Sequence, residues 1–187
     1  IVVDGNNIGE LCNAIDVGVE GELVHIGSVN DDAMEEYTDP AEAADFVKKT
    51  GVCCLAVLIG NAHGHYKKTP KLDIDRVKAI REATGGIPLV LHGGSGLTDD
   101  DFKRAIKEGI SKVNIFTDIN IAAVKAEFSK FTDMNKGIID LIPAAVEAIK
   151  QETMKKMELF SSVGKGRQAM QFNEDEIVRR VVEEVLK

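Results

Sequence analysis

What most limits the folds open to this chain is a repeated alternation of short apolar runs with polar stretches spaced like helices. The clearest run is "VCCLAVLI" (52–59), which is almost unbroken by polar residues. A strand with one wet face alternates apolar and polar positions, whereas a parallel strand buried on both faces reads as a continuous apolar run. Ile1–Asp4, Val17–Leu23, Ile87–Leu91 and "SKVNIFTD" (111–118) read as further strands. In Val17–Leu23, Glu20 and Glu22 fall two apart, so one strand face carries two carboxylates. Between the strands, Asp39 followed by Pro40 opens a helix that runs to about Lys49. Leu72–Ala83 has helical spacing, and Thr98 before Asp99, Asp100 and Asp101 caps another helix and complements its dipole. Helices over about 119–131, 143–160 and 174–186 follow. Strand–helix alternation with buried strands predicts a parallel α/β sheet.

The placement of the odd residues bears on whether such a sheet closes. Asp4, Glu22, His63, His92 and Asn114 all fall at or just beyond the C-terminal ends of successive predicted strands. In a closed (β/α)8 TIM barrel those ends converge on one mouth, the catalytic face, while an open sheet would spread them along a line. About five strands are visible, and a full barrel needs ~250 residues. The expectation is therefore about the C-terminal half of a barrel, strands 4–8, followed by helices. With 187 residues, 44% of them hydrophobic, one substantial core is expected. A formal net charge of −8 with scattered Lys and Arg argues against nucleic acid or a membrane surface as partner. No apolar run approaches the ~20 residues of a membrane span, and the expectation is a chain with no secretory signal before its first strand. Cys12, Cys53 and Cys54 are read as reduced, buried thiols of a cytoplasmic protein, neither a disulfide framework nor a CxxC metal site.

Two stretches carry chemistry. In "GIPLVLHGGSGLTDD" (86–100), His92 ends an apolar run and Gly93, Gly94, Ser95 and Gly96 precede a helix start. A turn of that kind exposes backbone N–H groups, and a phosphate is their usual guest. In "IGNAHGHYKK" (59–68), His63 follows a buried strand, Gly64 flanks it, and Lys67 lies four residues on. A lone histidine at a strand end is more often structural. Two at the ends of neighbouring parallel strands about 4.8 Å apart reach one metal, and Zn²⁺ suits imidazole ligands best. Lys67 adds a point charge to the N–H nest of the glycine turn, although such a turn alone is as often just a tight loop. His25 and His65 lack this context and read as loop or supporting residues. Asn114 is either an ordinary cap or core hydrogen bonder or, beside a metal, a donor to a substrate oxygen. Thr117 and Asp118 open the helix after it.

Taken together, "VEGELVHIG", "YTDP", "IGNAHGHYK", "LVLHGGSG" and "VNIFTD" resemble the class II, metal-dependent fructose-bisphosphate and tagatose-bisphosphate aldolases, in order and from residue 1 to about 165. The resemblance implies one TIM-barrel aldolase domain over 1–187, its N-terminal strands outside these residues and 143–187 a C-terminal helical extension. It implies that His63 and His92 are two of three catalytic Zn²⁺ ligands. Gly64, Lys67, Gly93, Gly94, Ser95, Thr117 and Asp118 would line the site for the phosphate of dihydroxyacetone phosphate. Asp118 would act there through backbone, since its own charge would repel the ligand. Asn114 would hydrogen-bond the enediolate, Glu22 would hold a displaced metal, and Asp4 would match the acidic residue ending the fourth strand. Zn²⁺ is the implied cofactor, with a monovalent cation such as Na⁺ or K⁺ as a second candidate. Family members form dimers or larger oligomers, so a homo-oligomer (dimer or tetramer) is expected. The C-terminal stripe Ile177, Val181, Val182, Val185 and Leu186 fits that expectation.

Three departures qualify what the resemblance implies. The family's Asp-His pair, supplying the catalytic base and the remaining zinc ligand, has no counterpart in these residues. The connection between Asp4 and Cys12 is too short for the family's helix. The loop "GSVNDDAMEEYTDP" is also shortened, with Asn30 about where a catalytic glutamate is expected. The C-terminal arginine for a distal phosphate is not evident, which makes a 1-phosphorylated ketose a safer substrate class than a bisphosphate. The competing readings are a non-catalytic phosphosugar-binding half barrel or scaffold, and a metal-dependent barrel hydrolase that leaves Lys67 and Asn114 unexplained.

Overall fold

Four short strands lie side by side, all parallel, in a computed structural model that describes residues 5–23, 37–62, 70–131, 137–166 and 182. They are β1 (Glu20–Glu22), β2 (Cys54–Ala56), β3 (Leu89–Leu91) and β4 (Ile110–Val113), paired in that order. The helices are α1 (Gly5–Ala14), α2 (Pro40–Thr50), α3 (Ile74–Ala83), α4 (Asp99–Glu108), α5 (Thr117–Lys130) and α6 (Ile138–Leu159). The predicted alternation is thus present. The predicted strand Ile1–Asp4 and helix 174–186 lie outside the described residues, apart from Val182.

Period-two geometry sorts the strand residues between two faces. Leu55, Val57, Ile59, Leu89 and Leu91 join the helix-side core with Ala43 of α2, Ile74, Val77 and Ile80 of α3, and Phe102 and Ala105 of α4. Ala56, Leu58 and Val90 are buried as well, which is why β2 and β3 read as unbroken apolar runs. Register then sets what shares the other face: Glu20 lies beside Cys54, Glu22 beside Ala56, and Ala56 beside Val90. Between β3 and β4 the register slips, so that Leu89 pairs with Ile110 but Val90 pairs with Lys112. The slip lets Ile110 stay in the core while Lys112 joins the face of Glu20 and Val90.

Local chemistry fixes the helix starts. The Asp39 carboxylate accepts from the Ala41 and Glu42 N–H groups ahead of Pro40, and Asp73 accepts from Arg76 N–H. Thr98 and Asp101 form a reciprocal capping box.

Three expectations need correction. The segment after Asp4, expected to be a connection too short for the family's helix, holds the ten-residue α1; Gly9 packs so closely that a Cβ there would collide with the Thr50 carbonyl oxygen. The C-terminal helix begins at Ile138, not 143. The Asp140 carboxylate accepts from Gly137 N–H at 2.9 Å, and Pro143 sits inside the helix. The three cysteines are not fully buried: Cys12 and Cys54 are half-buried and Cys53 is exposed, lying before β2 proper with its Sγ donating to the Val19 carbonyl at 3.3 Å.

Candidate active site

β1, the C-terminal end of β3 and β4 carry a cluster of charged side chains on the face opposite the helix-side core. His92, just after β3, has Nε2 at 2.9 Å from Glu20 Oε1 and Nδ1 at 2.9 Å from Glu22 Oε2. Lys112 Nζ lies 2.7 Å from the other Glu20 oxygen, Oε2. Burial works to raise the pKa of Glu20, but the hydrogen bonds and charges of Lys112 and His92 outweigh it and hold the carboxyl below its ordinary value. Cys54 Sγ approaches Glu20 Oε2 at 3.8 Å. Burial, then Cys53, then the Glu20 charge push that thiol up to about 11.

Beneath the cluster, the backbone of His92 is fixed by a residue that sequence reasoning did not single out. Asn61 is 2% exposed; its Nδ2 donates to the His92 carbonyl at 2.9 Å while its Oδ1 accepts from Ile59 N–H at 2.8 Å. One amide thus ties the end of β2 to the end of β3. The available signal was an asparagine closing an apolar run in "VLIGN".

The glycine turn follows directly. Gly93 has φ +63°, a left-handed conformation that glycine adopts without a Cβ penalty. Gly94 is needed for space: a Cβ would stand 2.9 Å from Val113 Cγ1, 3.0 Å from Ile115 Cδ1 and 3.2 Å from Phe102 Cε1. Ser95 is buried, and its Oγ accepts from Asp118 N–H at 3.2 Å, which joins the turn to the first turn of α5. Asn114 lies beside it. Its N–H donates to Leu91 O at 2.9 Å, its carbonyl accepts from Gly94 N–H at 3.4 Å, and the residue is exposed. Thr117 is the first residue of α5. On the far side, Asp118 Oδ2 meets Lys156 Nζ of α6 at 2.7 Å.

The structure therefore brings together Glu22 with His92, and Gly93, Gly94 and Ser95 with Asn114, Thr117 and Asp118. His63, Gly64, Lys67 and Asp4 lie outside the described residues. Glu20, Asn61, Lys112 and Lys156 are the additions that geometry makes. Among the described residues, no group of three or more His, Cys, Asp or Glu side chains is arranged to hold a metal ion. The donor types do fit a divalent cation such as Zn²⁺, since imidazole nitrogen and carboxylate oxygen meet at this cluster. A His92 nitrogen that takes a metal gives up its carboxylate partner.

A parallel α/β sheet with a histidine–carboxylate cluster and a glycine turn beyond its strands has its polar groups where parallel α/β folds carry their functional sites. The family model for class-II fructose-bisphosphate aldolase matches residues 5–165, and the chain belongs to that family. It is 42% identical over 155 residues to the uncharacterized protein YdjI of Escherichia coli (strain K12), covering 80% of this chain and 54% of that protein. It is 40% identical over 169 residues to the fructose-bisphosphate aldolase of Geobacillus stearothermophilus, covering 87% and 58% respectively. Among solved structures, the YdjI aldolase from Escherichia coli K12 superposes with a TM-score of 0.73 at 38% identity, over 86% of this chain and 56% of that one. The fructose-bisphosphate aldolase of Campylobacter jejuni shares the fold, with a TM-score of 0.66 at 21% identity over 84% and 56%. The chain spans about half the length of the relatives it matches. No helix among the described residues is long and apolar enough to cross a membrane.

Proposed function

We propose that these residues form the C-terminal half of a (β/α)8 barrel, strands 4–8, within one aldolase domain. The protein is then a zinc-dependent lyase that cleaves a ketose 1-phosphate or 1,6-bisphosphate to dihydroxyacetone phosphate and an aldehyde, or condenses them. The observation that carries this reading is the convergence of two features on one edge of the sheet. They are His92 with Glu22, and the Gly93–Ser95 turn joined to Asp118.

In this reading His92 and His63 would hold the metal, with Glu22 as a further carboxylate that could ligate it. Bound Zn²⁺ supplies Lewis-acid polarisation of the ketose carbonyl. The glycine turn and the start of α5, with Lys67 and Gly64, hold the substrate phosphate, a positioning effect. The Gly94 and Asp118 N–H groups are engaged by the Asn114 carbonyl and Ser95 Oγ and shape the turn. Asn114, fixed by its backbone at Leu91 and Gly94, offers its side-chain amide to the substrate oxygen that gains negative charge. A monovalent cation such as Na⁺ or K⁺ is a further candidate at this mouth. A C-terminal helical extension over 143–187 belongs to this reading, and among the described residues its helix α6 starts at Ile138. Exposed Phe128, Ile139 and Val146 on α5 and α6 support a homo-oligomer, dimer or tetramer. Three free thiols fit the cytoplasm.

The test is ketose-phosphate cleavage before and after exhaustive chelation. We expect activity to vanish with the metal and to return with Zn²⁺, and His92→Ala to lose most of the bound zinc by elemental analysis. Turnover that survives chelation rejects the metal mechanism. Binding of dihydroxyacetone phosphate without turnover in the presence of Zn²⁺ supports a non-catalytic phosphosugar-binding protein instead.

A further inference from the structure

A carboxylate at a phosphate site is a contradiction that the structure resolves from an unexpected direction. Asp118 sits in the first turn of α5, its N–H spent on Ser95 Oγ and its side chain only 16% exposed. A negative side chain suits a helix N-terminus. Beside a phosphate dianion it opposes binding, and its burial leaves little solvent to screen it. The cation that meets it comes from α6: Lys156 Nζ lies 2.7 Å from Asp118 Oδ2 and is itself 15% exposed.

Lys156 is held in place from two sides. Its ammonium lies 5.4 Å from the centre of the Phe102 ring, and Phe102 packs against Phe160 at 5.0 Å between centroids. Glu152 Oε1 is farther, at 3.8 Å, and Glu152 also faces Lys155 at 3.5 Å through Oε2. Asp118 is therefore the closer partner of Lys156. Phe102 also borders Gly94, so the same ring that seats Lys156 supports the glycine turn.

We propose that Lys156 is a positioning residue of the phosphate turn. It neutralises the Asp118 carboxylate, so that Gly93–Ser95 and the start of α5 accept a phosphate dianion. The proposal rests on the phosphate reading above and adds α6 to the site. A bridge that merely ties α6 to α5 would share this geometry, but the two roles differ in sign. If charge compensation is the role, removing the carboxylate while keeping its shape improves anion binding. If tethering is the role, the same change loosens the turn and weakens binding.

The experiment is calorimetric titration of the protein with dihydroxyacetone phosphate in Lys156→Met, Lys156→Arg, Asp118→Asn and the Lys156→Met/Asp118→Asn double variant. Lys156→Met is expected to weaken binding about tenfold, the order of one poorly screened charge near a dianion. Lys156→Arg should keep most of the affinity, Asp118→Asn should bind at least as tightly as the parent, and the double variant should recover most of what Lys156→Met loses. Asp118→Asn that weakens binding as Lys156→Met does, or a double variant that recovers nothing, overturns the proposal. Should Lys156→Met fail to fold, the sign of the Asp118→Asn effect decides alone. A parent protein that does not bind dihydroxyacetone phosphate removes the phosphate reading and this proposal together. A parent that binds, with Lys156→Met unchanged, removes only this proposal.

Discussion

The two halves of the candidate site are anchored by different physics. On the imidazole side, the His92 ring is held by two carboxylates that are themselves 28% and 34% exposed, while its backbone is locked by the buried Asn61 amide. On the turn side, the anchors are packing and one sheltered ion pair: Gly94 against Val113, Ile115 and Phe102, and Asp118 against Lys156. A ring held by replaceable partners on a fixed backbone can exchange a carboxylate for another ligand without refolding. A turn held by close packing keeps its shape or loses it with the core. The division matches the two tasks proposed for this edge, since a cation site must open one position and a phosphate nest must stay preformed.

The strongest way to break this contrast is to remove the ring under the turn. Phe102 is fully buried and touches both Gly94's neighbourhood and Phe160. Phe102→Ala is expected to cost about 3–5 kcal/mol in denaturant unfolding. Hydrogen exchange should rise first across residues 93–97 and the last turns of α6, with little change at β1. A loss below about 1 kcal/mol would show that the turn does not depend on core packing. Equal loosening at β1 would show that the two halves are one unit.

Asn61→Ala probes the other half. The variant leaves Ile59 N–H and the His92 carbonyl without their side-chain partner, and a buried group so stranded costs about 1–3 kcal/mol. Faster exchange should appear at Ile59 and the residues around His92, while the Ser95–Asp118 link stays protected. Unchanged stability would mean that water replaces the amide and that the His92 backbone is held by β3 alone.

The elements that were legible in the sequence are those whose causes are local. Asp39 before Pro40 and Thr98 before three aspartates cap α2 and α4 within a few residues of chain, and the both-face burial of β2 is written in one run. The glycine turn at Gly93–Gly96 and the helix start at Thr117 and Asp118 were readable for the same reason, each marked by its own local composition. What escaped was set by distant chain. α1 contains two glycines and three asparagines, poor helix formers. Only glycine fits at position 9, because the Thr50 carbonyl lies against it. The helix expected from about 143 starts earlier, because Gly137 and Asp140 open α6 and Pro143 is carried inside it. Lys112 with Glu20 and Lys156 with Asp118 are pairs separated by 92 and 38 residues. Nothing in the spacing of either lysine marks it, since register and helix docking alone bring the partners together.

The smallest expected effect concerns the thiols at the foot of the imidazole side, where adjacent residues should behave differently. Cys53 is exposed, whereas Cys54 is half-buried with its thiol pushed up to about 11 by burial, by Cys53 and by the Glu20 charge. The thiolate is the nucleophile, so at neutral pH Cys54 is almost entirely in its unreactive form. Iodoacetamide followed by peptide mass spectrometry should therefore label Cys53 well before Cys54. The Cys54 rate should climb about tenfold for each pH unit below its pKa. Glu20→Gln removes one contribution that raises the Cys54 pKa, and not the largest, so it should speed Cys54 labelling by less than about tenfold. Because Glu20 also faces His92 and Lys112, this modest change reports whether the carboxylate stays directed at the thiol or at the imidazole. Equal labelling of the two cysteines at neutral pH would mean that the face beneath His92 is open to solvent, and that only the turn side of the site is built from packing.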